Sequence, residues 1–249
     1  MTIDYAAAIE EDSARLATAL AANRDAPIPW CGDWTVKDCA LHLASVHHVV
    51  ARVVADRPDA SFDLFATLER PEATDPALDA WFAGGTAALV HALRAADPGD
   101  AAWTWWPADQ SVGFWARRMA HESLVHRWDG ERGAGVDVVP VDPALAADGV
   151  DEFLEVFVAT TRAMKNSPGA GETAHLHCTD TDGEWLIALP GAGQYEFSRE
   201  HAKGDVALRG SAESLLLFCW GRLGPGEGGI DVIGDSSIAD RWRDLVPAM

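Results

Sequence analysis

Apolar residues in the first half of the chain recur at spacings of three and four, which is the period of an amphipathic α-helix. Three start signals accompany this pattern: Thr35 with Asp38, Asp75 followed by Pro76, and Ser111. Four such segments, separated by stretches rich in Pro, Gly and Asp, predict a four-helix bundle. The predicted helices are 3–23, 35–56, 76–96 and 111–131.

The pattern changes at GERGAGVDVVPVDP (130–143), where Gly and Pro interrupt the helical period and valines alternate. We therefore predict two domains, a helical domain over 1–139 and an α+β domain over 140–249. The second domain is expected to hold a small antiparallel sheet, arranged as a meander and backed by helices.

Within the second half, residues 144–165 are predicted to be helical, and a helix starting at Ser211 is expected to end just before Gly224. A final helix is predicted over 237–246. Asp and Gly turns separate four segments with the composition of short strands. These segments are TAHLHCTD, EWLIALPG, YEFSREH and GDVALRG.

Composition and net charge indicate a folded protein and limit the kinds of partner it is expected to bind. The 249 residues are 48% hydrophobic, as expected of a folded protein, and 39 acidic residues against 19 basic ones give a formal charge of −20. This field repels phosphate backbones and anionic lipid, so neither nucleic acid nor a membrane is expected as a partner. With acidic residues near the start and no long apolar run, we expect a cytoplasmic protein, monomeric or homodimeric.

The cysteines carry no motif. Cys31, Cys39, Cys178 and Cys219 form neither a CxxC pair nor a disulfide framework. We expect them to be reduced thiols and assign them no chemistry.

The predicted second helix carries one histidine on an otherwise apolar face. This face consists of Val36, Ala40, Leu43, His47, Val50 and Val54. Helix geometry rotates His48 about 100° and His42 about 140° away from His47. We therefore predict that His47 is the histidine of this helix that points into the bundle.

The predicted fourth helix has an inward face that turns from apolar to ionisable along its length. This face consists of Val112, Trp115, Met119, Glu122, His126 and Asp129. A carboxylate in a bundle core needs a cation, a hydrogen-bond donor or water, because an unpaired buried charge is costly. The string HESLVH differs from the HExxH motif of zinc proteases, since the second histidine comes one residue late.

Together, His47, Glu122 and His126 supply two imidazoles and one carboxylate, the ligand count of a zinc site that keeps one position open. Asp129 is predicted to accept a hydrogen bond from the ring of His126 and orient it. Ordinary hydrogen-bonded core residues are the alternative interpretation. The donor set also suits nickel, iron or manganese, so zinc is an assumption.

Four segments resemble the mycothiol-dependent maleylpyruvate isomerase family of actinobacteria. The most specific is WTWWPADQSVGFWARRMAHESLVHRWDGE (103–131). The others are WTVKDCALHLASVHH (34–48), ADGVDEFLEVF (147–157) and GDVALRGSAESLLLFCWGRL (204–223). The resemblance covers nearly the whole chain.

The resemblance implies a DinB-like four-helix bundle followed by a sterol-carrier-like α+β domain. It also implies that a histidine on the second helix and a Glu-x-x-x-His pair on the fourth bind the metal, which maps onto His47, Glu122 and His126. Mycothiol is the implied cosubstrate. A metal-bound thiolate is nucleophilic at neutral pH, so the expected reaction is its addition to an electrophile.

The finer function stays open at this point between a maleylpyruvate-type cis-trans isomerase and a mycothiol S-transferase. An anionic substrate needs a cation, for which Arg117, Arg118, Arg209 and Arg222 are candidates. We assign Arg209, with Asp129, to catalysis, and Arg222, with Trp106, to cofactor binding. Trp106 belongs to a tryptophan cluster for which simple packing is the alternative role.

Two other classes of function compete with this prediction. One is a metal-dependent hydrolase that uses bound water, with Asp129 or Glu131 as general base. The other is a non-enzymatic protein whose second domain holds an apolar ligand.

Overall fold

A computed structural model describes residues 3–57, 66–191 and 193–247 of the chain. The chain separates into two compact units, Met1–Val139 and Pro140–Met249. None of the helices in the described ranges combines the length and the apolar character that crossing a bilayer requires.

Four long helices are described in the first unit. They are α1 (Tyr5–Asn23), α2 (Val36–Asp56), α3 (Leu78–Ala95) and α4 (Val112–Ala134). α1 packs mainly against α4, and α2 packs against both α3 and α4. The core between them contains fully buried apolar side chains such as Leu16, Leu43 and Leu124. The predicted helical character of this half is therefore confirmed.

The helix starts follow the sequence signals at two of three positions. Asp38 accepts a hydrogen bond from the backbone N–H of Thr35 at 2.9 Å, and Ser111 accepts one from the N–H of Phe114 at 3.1 Å. The third prediction was wrong by two residues. The carboxylate of Asp75 accepts a hydrogen bond from the N–H of Ala77, in a turn that precedes the helix.

The second unit begins with helical segments of three types rather than the single helix predicted over 144–165. α5 (Pro143–Glu152) continues into a π-helical segment at Phe153–Val158, and a 3₁₀ helix follows at Arg162–Asn166. Further along, α6 (Ala212–Cys219) ends earlier than expected from Gly224. Three residues before that glycine, Gly221 adopts a positive φ of 68°, which few other residues tolerate.

A five-stranded sheet forms the rest of this unit. Its strands are β1 (Glu172–Cys178), β2 (Glu184–Gly191), β3 (Gln194–Ser198), β4 (Val206–Gly210) and β5 (Asp231–Gly234). The spatial order is β3-β2-β1-β4-β5. Two short helices, α7 (Ser236–Asp240) and α8 (Trp242–Leu245), close the unit where one helix was predicted.

The predicted fold class, a helical region followed by a small α+β domain with a mainly antiparallel sheet, is confirmed. The prediction of a meander was wrong, because β4 pairs with β1 in parallel, whereas the other pairs of strands are antiparallel. Asp205, just before β4, accepts hydrogen bonds from the backbone N–H and the hydroxyl of Thr173 on β1. This contact fixes the register in which β4 returns to the centre of the sheet.

All four cysteines are reduced thiols outside any disulfide, as expected. Cys39, Cys178 and Cys219 are buried, and Cys31 is half-buried. Burial raises the pKa of Cys178 and Cys219, which keeps these two thiols protonated near neutral pH.

We predict opposite effects for two glycine substitutions inside helices. A Cβ at Gly130 on α4 would lie 2.2 Å from Cδ1 of Leu16, which is fully buried, whereas a Cβ at Gly84 on α3 meets nothing within 4 Å. Gly130→Ala should lower the free energy of unfolding by about 1–3 kcal/mol through overpacking. Gly84→Ala should raise it by about 0.5–1 kcal/mol, because alanine loses less backbone entropy on folding.

Urea denaturation followed by tryptophan fluorescence measures both effects. An unchanged or raised midpoint for Gly130→Ala would contradict the close approach of α1 to α4 at Gly130.

Candidate metal centre

Three potential metal ligands converge between α2 and α4. His42 comes from α2, and Glu122 and His126 come from successive turns of α4. One carboxylate oxygen of Glu122, Oε1, lies 2.9 Å from Nε2 of His42 and 3.3 Å from Nε2 of His126. The three donor atoms all lie within 4.8 Å of one another. Two imidazoles and one carboxylate at this separation fit a divalent transition metal with a position left open.

The second oxygen of Glu122 has a separate partner. Nη2 of Arg118, one turn earlier on α4 and buried, donates a hydrogen bond to Oε2 of Glu122 at 2.9 Å. This contact fixes the plane of the carboxylate and turns Oε1 toward the two histidines. Arg118, predicted as a cation for an anionic substrate, is therefore a partner of Glu122 in this structure.

Asp129 lies behind His126, where it can orient the ring. Its Oδ2 is 3.1 Å from Nδ1 of His126, and its Oδ1 accepts a hydrogen bond from the indole N–H of Trp30 at 2.5 Å. The thiol of Cys31 also donates to Oδ2, at 3.6 Å. A proton on Nδ1 shared with Asp129 leaves the lone pair of Nε2 directed at the site, the usual arrangement of a metal-binding histidine.

Trp34 covers the two imidazoles. Its ring centroid lies 5.0 Å from that of His42 and 5.9 Å from that of His126. Trp34 directly precedes Thr35, the N-cap of α2, so the start of this helix places an apolar ring beside the donors. The ring lowers the access of water to the site.

The charges of this group are coupled. Burial alone would raise the pKa of Glu122, but the hydrogen bonds with His126 and His42, together with the charge of Arg118, hold it well below its usual range. Burial alone would lower the pKa of His126, but Cys39, Asp129 and Glu122 raise it well above the ordinary value. The group therefore pairs an ionised carboxylate with a protonated imidazole, and a metal ion bound here would take the place of that proton.

A second network of buried charges fixes α4 against α1. Arg127 donates to Asp12 at 3.1 Å and to Glu131 at 2.9 Å, and Arg15 pairs with the other oxygen of Glu131 at 2.5 Å. Burial, only partly offset by Arg127, raises the pKa of Asp12 to about 6. Glu131, which we considered as a general base, is 1% exposed and has both oxygens occupied by arginines.

His47 does not lie in the ligand group. Its ring is fully buried, with Nδ1 3.2 Å from the hydroxyl of Thr86 and Nε2 3.1 Å from that of Ser123. Burial lowers the pKa of His47 to about 3, so it stays neutral. The structure therefore places His42, and not His47, beside Glu122 and His126.

Position on the helical face favours His47 as the ligand, because its side chain points further into the bundle than that of His42. A metal site with an open position must be reached by substrate, so its ligands lie at the rim of the core. His42 has a half-buried side chain, 36% exposed, which suits this location. The useful signal was the position of His42 eight residues after Trp34, a spacing that belongs to one face of a helix.

The three other predicted residues have local partners of their own. Trp106 is half-buried in the segment before α4, and its ring centroid is 6.0 Å from that of Phe114. In the second unit, Arg209 on β4 is half exposed and lies 3.5 Å from Asp231. Arg222 donates to the carbonyl of Trp220 at 2.9 Å, and its guanidinium lies over the ring of that residue. The assignments of Trp106, Arg209 and Arg222 stay predictions.

Comparison with known families assigns both halves of the chain. Residues 6–130 match the family model described as the mycothiol maleylpyruvate isomerase N-terminal domain. Residues 144–241 match the model described as the MDMPI C-terminal domain. A search of curated proteins found no match. The first match spans α2 and most of α4, including all three residues of the ligand group.

We predict that His42 and His47 differ in what their removal costs. His42→Ala should abolish tight zinc binding at this group and change the free energy of unfolding by less than about 1 kcal/mol, because the side chain is half exposed. His47→Ala should leave zinc binding in place but cost about 2–4 kcal/mol, because it opens a cavity and leaves two hydroxyls without their partner. Zinc titration and urea denaturation of both variants test this. Loss of zinc from folded His47→Ala alone would contradict the assignment.

We also predict that His47 makes the protein less stable in acid. An unfolded histidine binds a proton below about pH 6.5, whereas His47 in the folded state does so only near pH 3. Stability therefore falls by about 1.4 kcal/mol for each pH unit below 6.5. Between pH 7.5 and 5, the wild type should lose about 2 kcal/mol more than His47→Gln. Denaturation with a chelator present measures this, and equal losses would contradict it.

Proposed function

This chain belongs to the mycothiol maleylpyruvate isomerase family, and we propose that it is a metal-dependent enzyme that uses mycothiol as a nucleophile toward an electrophilic substrate. The observation that carries the proposal is the convergence of His42, Glu122 and His126 within 4.8 Å. When bound there, a divalent metal ion such as zinc would act as a Lewis acid that lowers the pKa of a thiol.

Each residue around the group has a distinct task in this proposal. His42, Glu122 and His126 would hold the ion through two imidazoles and one carboxylate, a donor set that suits a catalytic metal. Arg118 and Asp129 are positioning residues, since each contacts a ligand and directs its donor atom inward. Trp34 provides an apolar wall, which limits hydration of the sulfur and so keeps it nucleophilic.

We propose isomerisation of a maleylpyruvate-type substrate as the reaction. The thiolate sulfur adds to the cis double bond, which forms a C–S bond and moves the electron pair onto the neighbouring carbonyl. Rotation about the resulting single bond follows. Return of the electron pair then breaks the C–S bond, restores the double bond in the trans form and releases the thiolate unchanged. A substrate with a leaving group would instead end as a stable thioether, the product of an S-transferase.

The contacts of the proposed general bases disfavour the hydrolase alternative. A base that activates metal-bound water needs a free oxygen facing the open side of the ion. Asp129 is fully buried and contacts Trp30, Cys31 and His126, and Glu131 lies between Arg15 and Arg127. Neither carboxylate has the access that the hydrolase mechanism requires.

The apolar-ligand alternative lacks a matching cavity among the clefts described in the second unit. The lining of a cleft of about 560 Å³ in that unit is mainly polar and includes five carboxylates, those of Asp148, Asp151, Asp182, Glu184 and Glu200, together with Trp185, Arg199 and His201. These side chains suit a cation or a polar molecule rather than a lipid.

Calorimetric titration of zinc-loaded protein with mycothiol tests the proposal. We expect saturable binding by the wild type and by the control variant His91→Ala, since His91 is exposed and lies outside the ligand group. Binding should be lost in His42→Ala. Wild-type turnover of maleylpyruvate should require both zinc and mycothiol.

Two results would refute the proposal. No mycothiol binding to fully metallated wild type would exclude the thiol as cosubstrate. Equal turnover with and without thiol would instead favour chemistry with bound water.

A further inference from the structure

Four ionisable side chains cluster on one face of the sheet in the second unit. His175 and His177 are two residues apart on β1 and therefore share a face of the strand. Glu184 pairs directly with His177 across the antiparallel β1–β2 ladder. His201 follows β3 and brings a third imidazole to the same place.

The three imidazoles surround a single carboxylate. Nδ1 of His177 lies 2.7 Å from Oε1 of Glu184, and Nδ1 of His201 lies 2.6 Å from Oε2. Nε2 of His175 is 3.4 Å from Oε2. The four donor atoms lie within 4.8 Å of one another.

Within this cluster, His175 has a ring nitrogen that no hydrogen bond satisfies. The residue is 6% exposed, and its Nε2 is buried without a hydrogen-bond partner. A buried polar atom in this state destabilises the fold unless a ligand satisfies it. Because this atom faces Glu184 and lies within reach of the donors of His177 and His201, one ion can satisfy all four residues.

We propose that His175, His177, Glu184 and His201 form a second metal site, specific for a divalent transition metal of the zinc class. Three imidazole nitrogens and one carboxylate oxygen complete a tetrahedral set without water. The site is therefore closed and structural, and it ties β1, β2 and the segment after β3 together. It is independent of the proposed function, which involves different residues in the other unit.

The surroundings favour entry of a cation. The acidic cleft of about 560 Å³ described above includes Glu184 and His201 in its lining. Arg199, also in the lining, is paired with Asp151 at 2.6 Å and with Glu155 at 3.1 Å. The remaining carboxylates give the cleft a negative potential that concentrates cations next to the cluster. His201, 78% exposed, provides the accessible side of the site.

Metal content of the full-length protein tests the proposal. Wild type, His201→Ala, His177→Ala and the control His91→Ala are stripped with chelator, reloaded with zinc, dialysed and measured by mass spectrometry. We expect His201→Ala and His177→Ala each to retain one zinc fewer per chain than wild type. His91→Ala should match wild type, and circular dichroism checks that each variant is folded.

Combination with His42→Ala separates this site from the one in the first unit. In the His42→Ala background, we expect the remaining zinc to disappear when His201→Ala is added. Cobalt loaded into the His42→Ala protein should show the visible absorption of tetrahedral coordination and lose it in the double variant. If His42→Ala leaves the zinc content unchanged while His201→Ala still removes one zinc, the metal site proposed in the first unit is refuted. The metal site proposed in the second unit is then supported.

Unchanged zinc content in both His201→Ala and His177→Ala, with or without His42→Ala, would overturn the proposal. Octahedral cobalt in the His42→Ala protein would also overturn it, since the closed four-ligand set would then be wrong.

Discussion

The first unit depends on the cost of burying charge on α4. Removing an isolated carboxylate from water costs several kcal/mol, so each buried acid of this helix has partners. Glu122 pairs with Arg118 and two imidazoles, Asp129 accepts from Trp30, and Glu131 pairs with Arg15 and Arg127. Some of these partners lie on α4 itself, and the others, Arg15, Trp30 and His42, come from α1, the connecting segment and α2. The same contacts that neutralise α4 therefore set the positions of its neighbours and create the ligand group.

Much of the fold could be predicted from the sequence because its causes are local. Apolar periodicity located the four described helices of the first unit, and Ser111 marked the start of α4. The features of the sheet that were not predicted depend on contacts between distant parts of the chain. β5 is only four residues long, and its pairing with β4 depends on the parallel return of β4 to β1. Strand order of this kind is set by long-range packing, which hydrophobic alternation does not encode.

The site was predicted in part for a similar reason. Glu122 and His126 lie on one helix, so their spacing alone places them together. The third ligand comes from a different helix, and its choice depends on how α2 is rotated against α4. Depth in the core favours His47 as this ligand. However, its two ring nitrogens lie 3.2 and 3.1 Å from hydroxyl groups, and these contacts account for both nitrogens without a metal ion. The cluster of His175, His177, Glu184 and His201 likewise joins three chain segments, of which only the His-Leu-His of β1 is visible in the sequence.

The hydrogen bonds of Asp129 to Trp30 and Cys31 link the ligand group to the segment between α1 and α2. Each donor to Asp129 draws electron density from the carboxylate and so makes His126 a weaker base. Substitutions in a connecting segment disturb packing less than substitutions in a buried helix. Metal affinity can therefore be tuned during evolution through the hydrogen-bond partners of Asp129, while the three ligands and the helices that carry them stay unchanged.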